Sequence, residues 1–221
     1  MAVTIKSPRE IELMRKAGEI LAQVHEELHA AVHPGMSTLD IDKLGERLIR
    51  SHGCIPSFKN YNGYPASICV SVNDEIVHGI PNKHRILKDG DIINVDVSTI
   101  LDGYFSDSSR MFCIGEVSPE KEKLVRVTNE AVEKGLEQVK PWGFLGDMGQ
   151  AVHDYAKKNG YTIVEEVGGH GVGLEFHEDP FVSYVTRRGE EMLMAPGMIF
   201  TIEPMINMGR PDIFVDDSNG W

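Results

Sequence analysis

The chain has 221 residues, 41% of them hydrophobic and 25% charged, a balance that is typical of a globular domain and excludes a disordered protein. Its formal net charge of −12 makes nucleic-acid backbones and anionic membrane surfaces poor partners. Three widely spaced cysteines and a charged N-terminal stretch without an apolar leader predict a soluble, cytoplasmic protein.

The first half of the sequence predicts two helices followed by three strands. Ser7-Pro8, with acidic residues close behind, marks the start of a helix that ends by Pro34-Gly35. A second helix is expected over 39–52. Strands are expected over 67–78, 91–100 and 103–114, with a tight turn at Leu101-Asp102-Gly103 between the last two.

The second half repeats this order of elements. Ser118-Pro119 opens a helix that runs to about 139, and a further helix is expected over 146–159. Strands are expected over 161–167, 181–185 and 198–205.

Three histidines, His25, His29 and His33, are spaced four apart on one face of the first helix. Such a stripe could bind a metal ion. Its position near a helix C-terminus favours a solvated stripe, because imidazolium is mildly stabilised there.

An internal repeat relates the two halves. Val32 and Pro34 recur as Val139 and Pro141, an offset of 107 residues (139 − 32), and residues 90–96 match residues 197–203 at the same offset. The repeat predicts an α+β fold in one domain, 1–221, built from halves of about 1–114 and 115–221. The second half has no counterpart of the strand over 103–114, so we expect a final strand hairpin to be missing, unless the duplication is simply imperfect.

Five polar residues stand out on this scaffold: Asp96, Asp107, His170, His177 and Glu203. The predicted hairpin allows the two aspartates to oppose one another, and a cation would relieve the repulsion between their charges. Carboxylates with imidazole suit Mn, Fe, Co or Zn, so the set predicts a metal site. The alternative is a network of structural acids that are hydrogen-bonded to Ser, Thr or Arg side chains.

The glycine-rich segment 168–173 contains His170. It lacks the lysine and the helix start of a phosphate-binding loop, so phosphate binding is not expected. Glycines on both sides let backbone and substrate approach closely while the histidine faces a metal ion, and His177 is placed to contact a substrate. A histidine satisfied within the core is the alternative.

These motifs together resemble a known family. Residues 78–81 (HGIP), 94–97 (NVDV), 169–173 (GHGVG), 176–178 (FHE) and 201–204 (TIEP), with Asp107, are similar in order and spacing to the type I methionine aminopeptidases. The resemblance spans nearly the whole chain. It implies a pita-bread fold with a pseudo-twofold repeat, and removal of the initiator methionine from nascent polypeptides by a protein that is a monomer in its complete form.

The resemblance also implies roles for individual residues. Asp96, Asp107, His170 and Glu203 would bind up to two divalent ions (Co, Mn, Fe, Zn or Ni). Glu203 would also be the general base, His78 would contact the scissile peptide, and His177 would stabilise the tetrahedral intermediate. The methionine pocket would be formed by Tyr61, Tyr64, Cys69, Phe176 and Trp221, while His78 and His177 would also bind the substrate.

One feature departs from the family. A fifth ligand, a glutamate on the final strand, has no counterpart, so we expect one metal ion at most to bind well and the activity to be low. Two other functions stay open at this point. One is a peptidase of the same fold that acts on Xaa-Pro or another small substrate, and the other is a binding module without catalysis.

Overall fold

A computed structural model describes residues 3–220. The helices are α1 (Pro8–Ala31), α2 (Thr38–Ser51), α3 (Pro119–Leu136) and α4 (Leu145–Lys158), with a short 3-10 turn at Tyr61–Gly63. The strands are β1 (Ile55–Pro56), β2 (Cys69–Val72), β3 (Ile92–Leu101), β4 (Tyr104–Cys113), β5 (Thr162–Ile163), β6 (Gly169–Gly171), β7 (Glu178–Val182) and β8 (Ile206–Asn207). All strand pairs within these sheets are antiparallel, which confirms the predicted α+β class.

The chain forms two compact units. The first unit comprises residues 10–119 and 215–220, and the second comprises residues 3–9 and 120–214. Within residues 3–220, every helix is too short or too polar to cross a lipid bilayer.

The sheet of the first unit is built around β3. Strand β4 pairs with β3 along its full length, while β1 and β2 share the opposite edge of β3. The turn between β3 and β4 places Asp102 (φ 51°) and Gly103 (φ 85°) in the left-handed region, as a two-residue hairpin requires. The predicted hairpin is therefore confirmed.

Alternation along β3 separates an apolar face from a polar one. Ile93, Val95 and Val97 are fully buried and belong to a core that also contains residues of α1 and α2. Because successive side chains of a strand point to opposite faces, the residues between them lie on the other face of the sheet. Asp96 is one of these residues, so its carboxylate lies on the polar face of the sheet, away from the apolar core.

The second unit buries α3 and α4 against short strands. Its apolar core contains Met148 and Val152 of α4, Val182 of β7, and Tyr184, which follows β7. Two small sheets, β5 with β8 and β6 with β7, complete the unit. The β6–β7 pair has an irregular register between His170 and Gly171.

Several predicted strands are wrong in extent. The strand expected over 67–78 ends at Val72, because Asn73 adopts a left-handed conformation (φ 57°) that breaks the extended backbone. The strands expected over 161–167 and 181–185 are found at Thr162–Ile163 and Glu178–Val182.

The segment 198–205, predicted as a strand, pairs too little to be one. It lies beside β6, where the Thr201 N–H donates to the His170 carbonyl at 2.8 Å and Phe200 forms an isolated bridge with Gly171. Pro204 has no N–H to donate, so the pairing cannot continue regularly through it. The predicted absence of a further hairpin with its fifth ligand stays a prediction, because no described residue tests it.

The interpretation of a solvated histidine stripe is wrong for His25. Its side chain is buried, with Nε2 2.9 Å from the Ser108 carbonyl oxygen of β4. Burial lowers the pKa of the imidazole from 6.5 to about 4. His29 is exposed, as the prediction required, and His33 is exposed but lies beyond the last residue of α1.

Candidate active site

The two aspartates of the first unit lie on one face of the β3–β4 hairpin. Asp96 is opposite Ser109, and Asp107 is opposite Ser98. Since directly opposed residues share a face, both carboxylates project to the same side of the sheet as diagonal neighbours. The sequence predicted that the two carboxylates can oppose one another across the hairpin, and the register places them two residues apart on that shared face.

Two predicted pocket residues border this acidic face. Cys69 is opposite Asp96 across the β2–β3 pair and is buried. Burial, reinforced by the Asp96 charge, holds the pKa of the Cys69 thiol well above its usual value, so the sulfur is a neutral, polarisable surface. Tyr64 is also buried, and its hydroxyl donates to the Gly79 carbonyl oxygen at 2.9 Å. Tyr61 is half-buried in the 3-10 turn, and Trp221 lies outside the described residues.

A carboxylate on α2 anchors the segment that precedes Cys69. Asp42 Oδ1 accepts the Ser67 N–H at 2.8 Å and the Ile68 N–H at 3.1 Å. Burial raises the pKa of Asp42 even though these donors oppose the shift. Sequence reasoning missed this residue, because nothing near Asp42 in the chain indicates a partner twenty-five positions away.

His78 occupies an unusual backbone conformation. Its φ of 55° is left-handed, which costs a non-glycine residue about 1 kcal/mol or more. The next residue must be glycine, because a Cβ at Gly79 would lie 2.4 Å from the Val70 carbonyl oxygen. The surrounding protein lowers the pKa of the His78 imidazole, and the Asp107 carboxylate offsets part of that shift, although the residue keeps an exposed surface. The imidazole therefore favours its neutral form.

His170 in the second unit is held in one tautomer. Its Nδ1 lies 2.9 Å from the Gly171 carbonyl oxygen, so Nδ1 carries a proton and donates it to that oxygen. Nε2 then faces the Glu203 carboxylate, with 3.4 Å between Nε2 and Oε1. An imidazole lone pair beside a carboxylate calls for a proton or a cation, and the bond from Nδ1 to a carbonyl is how metal-binding histidines are usually oriented.

Two hydroxyl groups fix Glu203. The Thr201 hydroxyl donates to Glu203 Oε1 and accepts the backbone N–H of His170 at 2.9 Å. The Tyr184 hydroxyl accepts the backbone N–H of Glu203 at 2.6 Å. Burial raises the pKa of Tyr184, so the phenol stays protonated. Sequence reasoning did not identify Thr201 or Tyr184 as part of the site.

His177 lies in a group of rings. Its ring centroid is 4.1 Å from that of His170 and 4.5 Å from that of Phe176. The Phe176 side chain is buried and meets the His170 ring edge to face at 6.1 Å. The predicted residues of the second unit, His170, Phe176, His177 and Glu203, are therefore brought together.

These donors fit a divalent metal ion. Asp107, His170 and Glu203 each offer one ligand atom, either a carboxylate oxygen or an imidazole nitrogen. Borderline divalent ions accept both kinds of donor. Asp96 adds a further carboxylate beside Asp107.

The sequence matches a family model over most of its length. Residues 12–220 match the model of metallopeptidase family M24. Methionine aminopeptidase A of Synechocystis sp. is 45% identical over 220 residues, which cover 99% of this chain and 86% of that protein.

Two solved structures are also similar to this chain. The methionine aminopeptidase of Rickettsia prowazekii superposes with a TM-score of 0.97 at 40% identity and covers 100% of this chain and 88% of that chain. An Xaa-Pro dipeptidase from Bacillus anthracis is more distant, with a TM-score of 0.78 and 25% identity over 90% of this chain and 54% of that chain.

Proposed function

This chain belongs to metallopeptidase family M24, and from that membership we propose that it is a hydrolase that removes methionine from the N-termini of peptides. Relatives of that activity are 45% and 40% identical to it over nearly its full length and share its α+β pita-bread fold. The Xaa-Pro alternative is not favoured, because that relative is 25% identical and matches over only 54% of its own length.

We propose that Asp96, Asp107, His170 and Glu203 are the metal ligands. Membership in a metallopeptidase family supports a divalent ion, and the donor set suits Mn, Fe, Co, Ni or Zn. A divalent ion, when bound, polarises a peptide carbonyl and lowers the pKa of water towards about 7. Three protein ligands suffice for one catalytic ion, so Asp107, His170 and Glu203 can hold one ion and Asp96 can contribute to a second.

The remaining polar residues are proposed to act on the peptide and on water. Glu203 accepts a proton from the attacking water, with one carboxylate oxygen oriented by the Thr201 hydroxyl. His78 contacts the scissile peptide, and His177 donates to the oxygen on which negative charge develops. The lowered pKa of the His78 imidazole suits this task, because a neutral imidazole does not repel a bound metal ion or the N-terminal amine of the peptide.

The pocket residues are proposed to select methionine. Tyr64, Cys69 and Phe176 are buried, and Tyr61 is half-buried. Aromatic rings and a neutral thiol each contribute about 0.3–1.5 kcal/mol to contacts with a thioether, which favours methionine over polar side chains. Trp221 remains a proposed member of this pocket.

The observation that carries the proposal is the His170–Glu203 pair. A tautomer fixed by the Gly171 carbonyl leaves Nε2 directed at a carboxylate 3.4 Å away, within a chain of metallopeptidase family M24. The cellular setting follows from the substrate. We propose a cytoplasmic monomer that acts on nascent-chain N-termini, and the net charge of −12 disfavours nucleic acid and anionic membranes as partners.

The test is a peptide assay with a metal measurement. The purified chain, loaded with Mn or Co, is given a Met-Gly peptide and, in parallel, an Xaa-Pro peptide. We expect free methionine from the first and no cleavage of the second. His170→Ala should weaken metal binding measured by calorimetry at least about tenfold. His84→Ala replaces an exposed histidine and is the matched control.

Two results would contradict the proposal. Cleavage of the Xaa-Pro peptide without release of methionine would favour the alternative peptidase. Unchanged metal affinity in His170→Ala would remove His170 from the ligand set.

A further inference from the structure

The loop that carries Phe176 and His177 is closed by the carboxylate of Glu178. Glu178 Oε1 accepts the Leu174 N–H at 2.9 Å and the Glu175 N–H at 3.2 Å. Both donors precede the two aromatic residues, and Glu178 follows them, so the carboxylate holds the two ends of the loop together. The position of this carboxylate sets the position of His177.

The second oxygen of Glu178 is neutralised by the start of the chain. Lys6 Nζ lies 2.5 Å from Oε2, and each of the two side chains is only 3% exposed. The Thr4 hydroxyl also donates to Oε2. Burial alone raises the pKa of Glu178, but the donors outweigh it and the pKa lies below its ordinary value. The carboxylate is therefore charged, and it depends on Lys6 for its counter-charge.

Backbone contacts hold the N-terminal segment in place. Val3 pairs with Asp179 in an isolated parallel bridge, and the Lys6 N–H donates to the Gly197 carbonyl at 2.8 Å. The Lys6 side chain packs so closely on the loop that a Cβ at Gly173 would lie 2.3 Å from its Cε. Residues 3–6 therefore contact the chain on both sides of Phe176 and His177, at Gly173 before them and at residues 178–179 after them.

A buried ion pair of this kind needs both partners. Removing one partner leaves an uncompensated buried charge, and this costs far more free energy than breaking an exposed pair. If Lys6 is lost, the Glu178 carboxylate must take up a proton or turn towards solvent. The second response opens the turn that it closes and shifts the His177 ring against His170, whose ring centroid lies 4.1 Å away.

We infer that Lys6 and Glu178 are positioning residues for His177 in peptide hydrolysis, which rests on the proposed function. Lys6 acts through Glu178 and does not touch the substrate. The N-terminal segment thereby becomes part of the catalytic apparatus, because it supplies the charge that holds the loop.

The experiment compares Lys6→Met with Lys134→Met in the metal-loaded chain. Lys134 pairs with Glu137 at 2.6 Å, but the two side chains are 45% and 56% exposed, so this pair is the matched control. We expect Lys6→Met to lower kcat on a Met-Gly peptide about 10–100-fold at equal bound metal, since a displacement of an ångström or so costs that much. The control variant should keep the wild-type kcat.

Two readouts distinguish a role in positioning His177 from a merely structural role. The imidazole NMR signals of His177 should shift in Lys6→Met and stay unchanged in Lys134→Met. Adding Glu178→Gln to Lys6→Met removes the uncompensated charge and should recover part of the lost kcat. The double variant also keeps the test decisive if Lys6→Met alone does not fold.

The inference is overturned if Lys6→Met keeps the wild-type kcat and the wild-type His177 signals. It is equally overturned if activity is lost only in proportion to the unfolded fraction. An inactive wild-type chain would contradict the proposed function instead, and in that case the His177 signals alone decide the inference.

Discussion

Replacing Tyr184 by phenylalanine removes one oxygen atom from the interior of the second unit. The side chain is 2% exposed, and its ring can stay where it is. The hydroxyl accepts the Glu203 N–H at 2.6 Å. Glu203 is a proposed metal ligand, so this bond holds the backbone of the segment that carries it.

The energetic cost follows from this donor. A buried N–H that loses its acceptor costs about 1–3 kcal/mol, because no water replaces the lost bond. The free energy of unfolding is therefore expected to fall by about 1–3 kcal/mol. That is a substantial part of the roughly 5–15 kcal/mol that stabilises a typical domain.

Urea denaturation, followed by fluorescence, measures this loss. The matched control is Tyr155→Phe, because the Tyr155 hydroxyl donates to Glu130 at 2.7 Å on a half-buried side chain and solvent can replace it. We expect the control to lose less than about 1 kcal/mol. Tyr184→Phe should also weaken metal binding, whereas the control should not.

Equal losses in the two variants would refute this reasoning. They would mean that the Glu203 N–H finds another partner when the hydroxyl is gone. Unchanged metal affinity in a destabilised Tyr184→Phe would instead separate the stability of the unit from the geometry of its ligands.

Three further predictions follow from single contacts. The pKa of His25 falls from 6.5 to about 4 on folding, so unfolding takes up a proton between these values. The free energy of unfolding should therefore drop by about 3 kcal/mol as the pH falls through this window, and His25→Gln, compared by urea denaturation of the metal-free chain, should lack that drop. Gly79→Ala places a Cβ 2.4 Å from the Val70 carbonyl oxygen, so thermal unfolding should show a loss of about 2 kcal/mol or more. Asp42→Ala removes the acceptor of two N–H groups ahead of Cys69, so steady-state kinetics on a Met-Gly peptide should show a raised KM with a smaller change in kcat.

Local patterns explain what the sequence predicted well. The Asp102-Gly103 turn and the alternation along residues 92–101 are both short-range signals, and the hairpin they predict is the one observed. Helix starts at Pro8 and Pro119 were predicted for the same reason, because proline and acidic residues mark the first turn.

The predictions that were wrong concern features that depend on pairing between distant parts of the chain. The strand predicted over 198–205 has the right apolar pattern, but strand formation depends on a neighbour, and Phe200 finds only one bridge. His25 was predicted to be solvated because the histidine stripe is near the C-terminus of its helix, whereas its burial depends on β4, eighty-three residues away.

Side-chain partners were the least predictable part of the site. Lys6 and Glu178 are separated by 172 residues, and either alone reads as an ordinary surface charge. Tyr184 reads as a core aromatic, and only the position of the Glu203 N–H reveals the task of its hydroxyl.

The β3–β4 hairpin places Asp96 and Asp107 within residues 92–113, so their geometry needs only one short turn to close. A hairpin of this kind forms in about 1–10 μs, so it has time to form during synthesis before residue 170 is made. The contact between His170 and Thr201 closes a loop of 31 residues that includes the irregular β6–β7 pair. Asp96 and Asp107 are therefore expected to be in place first, and His170 and Glu203 last, so that divalent metal should slow unfolding much more than it accelerates folding.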